Sequence, residues 1–124
     1  MRVMVLLSLL INVAVLVPVS AVLLFDPARA AAAFGDPSPA RGILLAIYVA
    51  ILAVSAWLLI ARNAMLVAPL LLVQVVYKLT TPLTVGSLAN PVVISNLAIA
   101  AVHLVTLVLI LRHLRGQGRM SAAA

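Results

Sequence analysis

The sequence predicts an all-α polytopic membrane protein: an antiparallel bundle of four transmembrane helices with a short interfacial helix between helices 1 and 2. Two observations predict this class. Of the 124 residues, 67% are hydrophobic and only 8% are charged, against roughly 25% charged residues in soluble domains, so the exterior must face lipid. The apolar residues also fall into four runs, each long enough to cross a hydrocarbon core of roughly 30 Å.

The formal net charge of +6 does not indicate a nucleic-acid partner. The basic residues stand at the ends of apolar runs instead of forming a stripe with stacking aromatic residues, so we predict no nucleic-acid binding. The chain has no cysteine, which excludes disulfides and thiolate-ligated metals. A composition rich in Ala, Val, Leu and Arg is typical of GC-rich bacterial genomes and predicts a bacterial inner (plasma) membrane as its location.

The first predicted span extends from about residue 3 to residue 24 and carries no charge. As a helix it would be about 33 Å long. Its start also resembles a signal peptide, with Val19-Ser20-Ala21 as a cleavage tripeptide. Because the apolar run continues beyond that tripeptide to Phe25, past the usual length of such a segment, we predict a retained transmembrane helix.

A short interfacial helix is predicted over about 26–34. Asp26 suits the N-cap position and Pro27 the first helical position. Two turns of helix cannot cross a membrane. We therefore expect this helix to lie along the outer surface, held there by Phe25 and Phe34.

The second span is predicted over about 42–61 and the third over about 64–88, so these two helices form a tight hairpin. Pro82 lies well inside the third span, where proline kinks or ends a helix. Two alternatives follow. Either the helix stops near Thr80, or it continues with a kink to about Leu88.

The fourth span is predicted over about 91–112, capped by Asn90 and followed by a basic tail over 113–124. With four spans, both termini and the connection between spans two and three lie on one side, which carries five arginines against two on the other. The positive-inside rule therefore places both termini in the cytoplasm. The five are Arg2, Arg62, Arg112, Arg115 and Arg119; the two are Arg29 and Arg41, which Asp26 and Asp36 offset.

Polar side chains within the spans are the candidate functional residues, because burying them costs free energy unless they find partners or water. Helical rise places one polar residue of each of spans one, three and four about 13 to 14 Å from the cytoplasmic face. We expect a polar cluster, serving either as a ligand cavity or as interhelical hydrogen bonds that fix packing. The candidates are Asn12, Gln74, Tyr77, Lys78, Asn96 and His103.

Lys78 separates these two hypotheses most sharply. If the third helix continues past Pro82, the amine lies near mid-membrane, where it should line a water-filled cavity, pair with an anion or lose its proton. If the helix ends at Thr80, the ammonium reaches the outer headgroups instead. No acidic residue lies within a span, so no carboxylate there is available to pair with it.

His103 has several alternatives of its own: a proton relay, one axial haem ligand, a substrate contact or a hydrogen-bonded packing residue. His113 is ten residues away on another helix face, so the two histidines cannot clamp one metal or haem. The sequence contains no phosphate-binding glycine loop, nucleophile elbow or paired carboxylates. We therefore predict no catalytic residues, no cofactor and no metal site.

The order of elements resembles that of a known group. A first span ending in Phe25-Asp26-Pro27, an alanine-rich helix ending at Phe34-Gly35, a proline-containing restart with Arg41 and three further spans resemble small bacterial four-helix membrane proteins of the DoxX-like type. The resemblance covers most of the chain and is architectural. It implies a grouping in which some members are thought to be subunits or accessory proteins of membrane redox systems, and it assigns no functional residue here.

Three functional hypotheses follow. The first is a non-enzymatic accessory or structural subunit of a membrane complex, whose partners are the lipid bilayer and another membrane protein or further copies of the chain. The second is binding or transport of a small molecule or lipid through a polar cavity within the bundle. The third is a membrane redox-associated enzyme acting on a lipid or quinone, with His103 and Lys78 as acid and base.

Overall fold

The computed structural model describes residues 1–123, with side chains to Ala122, and this part of the chain forms five helices and no strand. Four of the helices are long and apolar enough to cross a membrane. The predicted all-α architecture with four spans is confirmed, and the chain is an integral membrane protein. The helices are α1 (Arg2–Phe25), α2 (Pro27–Phe34), α3 (Pro39–Ala61), α4 (Ala64–Val85) and α5 (Pro91–Ala123).

Side-chain caps begin four of the five helices, which explains why the boundaries fall where they do. In each case an oxygen of a residue just before the helix accepts a hydrogen bond from a free amide of the first turn. The distances range from 2.8 to 3.2 Å. The caps are Asp26 for α2, Ser38 for α3, Asn63 for α4 and Asn90 for α5.

The helix α4 continues past Pro82 and ends at Val85. Proline has no amide hydrogen and pushes away the carbonyls of the preceding turn, which leaves backbone acceptors free. The hydroxyls of Thr80 and Thr81 both donate to the Tyr77 carbonyl, at 2.9 and 2.8 Å. The carbonyl that Pro82 leaves without a backbone donor is that of Lys78, four residues earlier, so these two hydroxyl bonds lie in the turn that precedes the proline.

Two other boundaries differ from the expected ones. The helix α3 begins at Pro39, before residue 42, and α5 extends beyond Arg112 through the predicted basic tail to Ala123. The connection between α3 and α4 is Arg62 and Asn63, as predicted, and Arg62 adopts a left-handed conformation with φ 53° and ψ 38°. For a residue with a side chain, that conformation costs roughly 1–2 kcal/mol.

The bundle consists of two helix pairs, α1 with α3 and α4 with α5, joined where α1 contacts α5. The consecutive helices α3 and α4 contact each other least among the pairs that pack. We call the end with Arg2 and Arg62 the arginine-rich end and the opposite one the α2 end. The apolar core of the arginine-rich half consists of Val5, Leu9, Leu58, Val67, Leu71 and Ile110.

Candidate functional site

Lys78 lies inside the bundle and not at the headgroups. Its side chain is only 4% exposed. At 1.5 Å per residue, it lies about 21 Å from the start of α4 at Ala64 and about 10 Å from its end at Val85. The ammonium therefore lies in the half of the bundle toward the α2 end, closer to that end than to the arginine-rich end.

The Lys78 ammonium has few protein partners. Its Nζ atom donates to Asn96 Oδ1 at 3.1 Å and lies 4.8 Å from the centroid of the Tyr77 ring. An ammonium has three N–H donors, and Asn96 accepts only one. Within the described residues the one salt bridge joins Arg29 and Asp26 at the surface. No carboxylate of residues 1–123 therefore balances the buried charge.

Neighbouring side chains fix the acceptor that faces Lys78. The Asn96 Nδ2 atom donates to Thr81 Oγ1 at 3.3 Å, and the Thr81 hydroxyl in turn donates to the Tyr77 carbonyl. This arrangement orients the Asn96 amide with its oxygen toward the ammonium. The Tyr77 hydroxyl is buried and has no hydrogen-bond partner among the described residues, so it is a second free donor near the lysine.

Two neighbouring cavities adjoin these groups. The larger has a volume of about 710 Å³ and is lined by Tyr77 and Asn96, among others. The smaller, of about 190 Å³, is lined by Lys78. Because four residues line both spaces, the smaller space lies directly beside the larger one. The shared residues are Phe34, Tyr48, Val92 and Asn96.

The interfacial helix α2 covers this cavity. Phe34, which we expected to anchor α2 at the membrane surface, turns inward, and its ring meets Tyr48 edge-on at 6.2 Å between centroids. Ala30 is fully buried, whereas Phe25 is 81% exposed. Phe34 therefore packs partly buried against the bundle, and Phe25 is the aromatic residue that remains exposed for the membrane surface.

A second polar group lies deeper in the bundle, toward the arginine-rich end. Asn12 donates through Nδ2 to Ser55 Oγ at 3.0 Å, and its Oδ1 lies 2.9 Å from His103 Nε2. In this arrangement Oδ1 is the acceptor, so the histidine donates from Nε2. Asn12 thus joins α1 to both α3 and α5. We call Asn12, Ser55 and His103 the Asn12 packing group.

Further hydroxyl contacts extend that packing group. Ser8 and Thr106 lie 2.7 Å apart, and the Thr106 hydroxyl also approaches the carbonyls of Met4 and Val102 at 3.1 Å. Sequence reasoning missed Ser8 and Ser55. The four-residue spacing of Ser8 and Asn12 on one helix face is a signal that could have found the first; Ser55 gives no such signal.

The six candidate residues divide between these two places. Three belong to the cavity walls: Tyr77, Lys78 and Asn96. Asn12 and His103 belong to the packing group, and Gln74 is buried with its Nε2 atom unpartnered among the described residues. Neither of the two cavities is lined by His103. The geometry therefore does not favour Lys78 and His103 as acid and base toward one substrate.

The described residues contain no group of three His, Cys, Asp or Glu side chains that could hold a metal ion. Comparison of the chain with protein-family models, with curated proteins and with solved structures gives no match. The distinguishing feature of the molecule is the geometry around Lys78: a buried amine with no carboxylate partner among the described residues, a second free donor and a cavity between α2 and the pair α4–α5.

Proposed function

We propose that this protein binds a small acidic amphiphile in the cavity beneath α2, with Lys78 as the countercharge. The observation that carries this proposal is the buried Lys78 ammonium, which has one protein acceptor and no carboxylate partner. A charge taken out of water is costly unless it is paired. An acid bound in the adjoining cavity supplies the charge that the described chain lacks.

The lining of the cavity indicates the ligand's shape. Lys78 and the Tyr77 hydroxyl offer donors to the oxygens of a carboxylate or similar headgroup. Phe34, Leu44 and Tyr48 offer apolar walls for an alkyl or aryl body. A volume of about 710 Å³ falls in the range of roughly 300–1,000 Å³ that is usual for small-molecule sites.

The position of the cavity favours binding from one side over a continuous pore. Between this cavity and the arginine-rich end, the Asn12 packing group and a cluster of packed apolar residues lie in the interior of the bundle. The cavity beneath α2 lies in the half toward the α2 end. With both termini in the cytoplasm of a bacterial inner membrane, as we propose from the arginine distribution, the ligand enters from the outer leaflet or the space beyond it.

A set of three amphiphiles with the same alkyl chain tests the proposal: dodecanoate, dodecanol and dodecyltrimethylammonium. We expect the purified protein in phosphatidylcholine nanodiscs, compared with empty nanodiscs, to bind dodecanoate at least about tenfold more tightly than dodecanol, because the ammonium favours an ionised acceptor. The cationic analogue should not bind. Equal affinity for all three amphiphiles would show an apolar cleft that does not distinguish between headgroups, and would rule out Lys78 as the recognition element.

A role as an accessory subunit is our second proposal, in line with the DoxX-like resemblance. The 33 residues of α5 make about 50 Å of helix, whereas the hydrocarbon core needs roughly 30 Å. The remainder carries three exposed arginines on one face, which suits an acidic partner surface. These arginines are Arg112, Arg115 and Arg119. Binding of the acidic amphiphile by the purified chain alone does not depend on such a partner.

A further inference from the structure

A separate cleft opens at the arginine-rich end, where α1, α3 and the start of α4 meet. Its volume is about 430 Å³. Its floor is apolar and belongs to the core of that half of the bundle, and two guanidinium groups stand at its rim. The lining residues are Met1, Arg2, Val5, Leu6, Leu9, Leu58, Arg62 and Ala64.

The charge at the rim of this cleft is entirely positive. Arg2 and Arg62 are both exposed, and within the described residues neither takes part in a salt bridge. From Arg2 to Leu9 the cleft extends about 10 Å along α1 into the apolar zone. It therefore combines cationic groups at headgroup level with an apolar channel beneath them.

The backbone at Arg62 gives a second, independent observation. It is the one residue other than glycine with a positive φ in the described chain. The position that follows a helix C-terminus in this conformation is usually glycine or asparagine, which adopt it with less strain. An arginine held in that conformation indicates that its side chain contributes something that glycine would not.

We propose that the cleft binds an anionic phospholipid, with the phosphate between Arg2 and Arg62 and an acyl chain against Leu9 and Leu58. One guanidinium group donates two hydrogen bonds to the oxygens of a phosphate. Basic pockets between transmembrane helices on the cytoplasmic side bind acidic headgroups. A lipid matches both parts of the cleft, since a free phosphate would leave the apolar floor uncovered.

The single tryptophan of the chain provides the measurement. Trp57 precedes Leu58 of the cleft floor and is itself 54% exposed outside the cleft lining, so bulk brominated lipid quenches it to the same extent for either headgroup, and any additional quenching by the anionic lipid reports lipid held at the cleft. We compare full-length protein in phosphatidylcholine bilayers that contain brominated phosphatidylglycerol or, at the same fraction, brominated phosphatidylcholine. The proposal predicts that the anionic lipid quenches Trp57 more strongly than phosphatidylcholine does, and that this difference increases with the fraction of anionic lipid until the cleft is occupied.

Four variants make the test specific. Arg2→Gln and Arg62→Gln should each weaken the preference for the anionic lipid about fivefold, whereas Arg29→Gln, an exposed arginine at the α2 end, should leave it unchanged. Arg62→Gly should weaken the preference as much as Arg62→Gln does while folding at least as well, because glycine fits the left-handed backbone. Equal quenching by both lipids, or a preference that Arg62→Gly leaves unchanged, overturns the proposal. Quenching abolished by excess inorganic phosphate would assign the site to a free anion instead.

Discussion

Replacing Lys78 with methionine is expected to abolish binding of the acidic amphiphile and, at the same time, to raise the free energy of unfolding. Methionine is unbranched like lysine, is one atom shorter and carries no charge. Exchange of buried ion pairs for apolar residues of similar volume is often neutral or stabilising by about 1–4 kcal/mol, and a buried charge without a counter-ion is costlier than a paired one. The bond to Asn96 and the contact with the Tyr77 ring offset only part of the desolvation cost.

The neighbouring substitution Leu79→Met is the matched control, since Leu79 is 50% exposed on the lipid-facing surface. It should change the free energy of unfolding by less than about 0.5 kcal/mol and leave binding intact. Unfolding by denaturing detergent and binding of dodecanoate measure the two effects on one preparation. If Lys78→Met destabilises the bundle, Lys78 holds the helices together and is not kept for a ligand.

Replacing Asn12 with alanine should have the largest destabilising effect among the polar residues. Asn12 is the side chain that bonds α1 to α3 through Ser55 and to α5 through His103. Interhelical hydrogen bonds in membranes contribute about 0.6 to 1.7 kcal/mol each. The loss of two such bonds predicts a decrease of about 1–3 kcal/mol in the free energy of unfolding, with acid binding retained because the cavity lies elsewhere.

Ser20 supplies the control for that experiment. It is also a buried polar residue of α1, but its hydroxyl has no hydrogen-bond partner among the described residues. Ser20→Ala should therefore be neutral or slightly stabilising, since it removes an unsatisfied buried group. Equal effects of Asn12→Ala and Ser20→Ala in detergent unfolding would show that the bonds of Asn12 contribute nothing to the packing of the helices.

The features that the sequence predicted correctly are those that depend on local physics. The four spans follow from apolar run length, and the caps at Asp26 and Asn90 follow from residue type next to a helix start. Pro82 was the ambiguous case. The helix continues three residues beyond it to Val85, and residue-type rules for proline leave open whether a helix ends or continues at such a position.

The sequence could not predict, for a different reason, which polar residues line the cavity and which belong to the Asn12 packing group. Counting helical rise gives the height of a side chain but not its neighbour across the bundle. It correctly placed Asn12 and His103 at one level, where they bond. It could not show that Gln74 stays unpartnered, nor that Lys78 faces Asn96 beneath a cavity covered by Phe34, because those relations depend on helix rotation and on where α2 folds back.

Solvent access to position 78 tests the central claim most directly. The chain has no cysteine, so Lys78→Cys introduces a single thiol into proteoliposomes of known orientation. We predict that a membrane-impermeant cationic thiosulfonate labels it from the side opposite the termini, and that Gln74→Cys, buried outside both cavities, stays unlabelled. Absence of labelling at position 78 from that side, or labelling only from the side of the termini, would contradict the proposed ligand cavity.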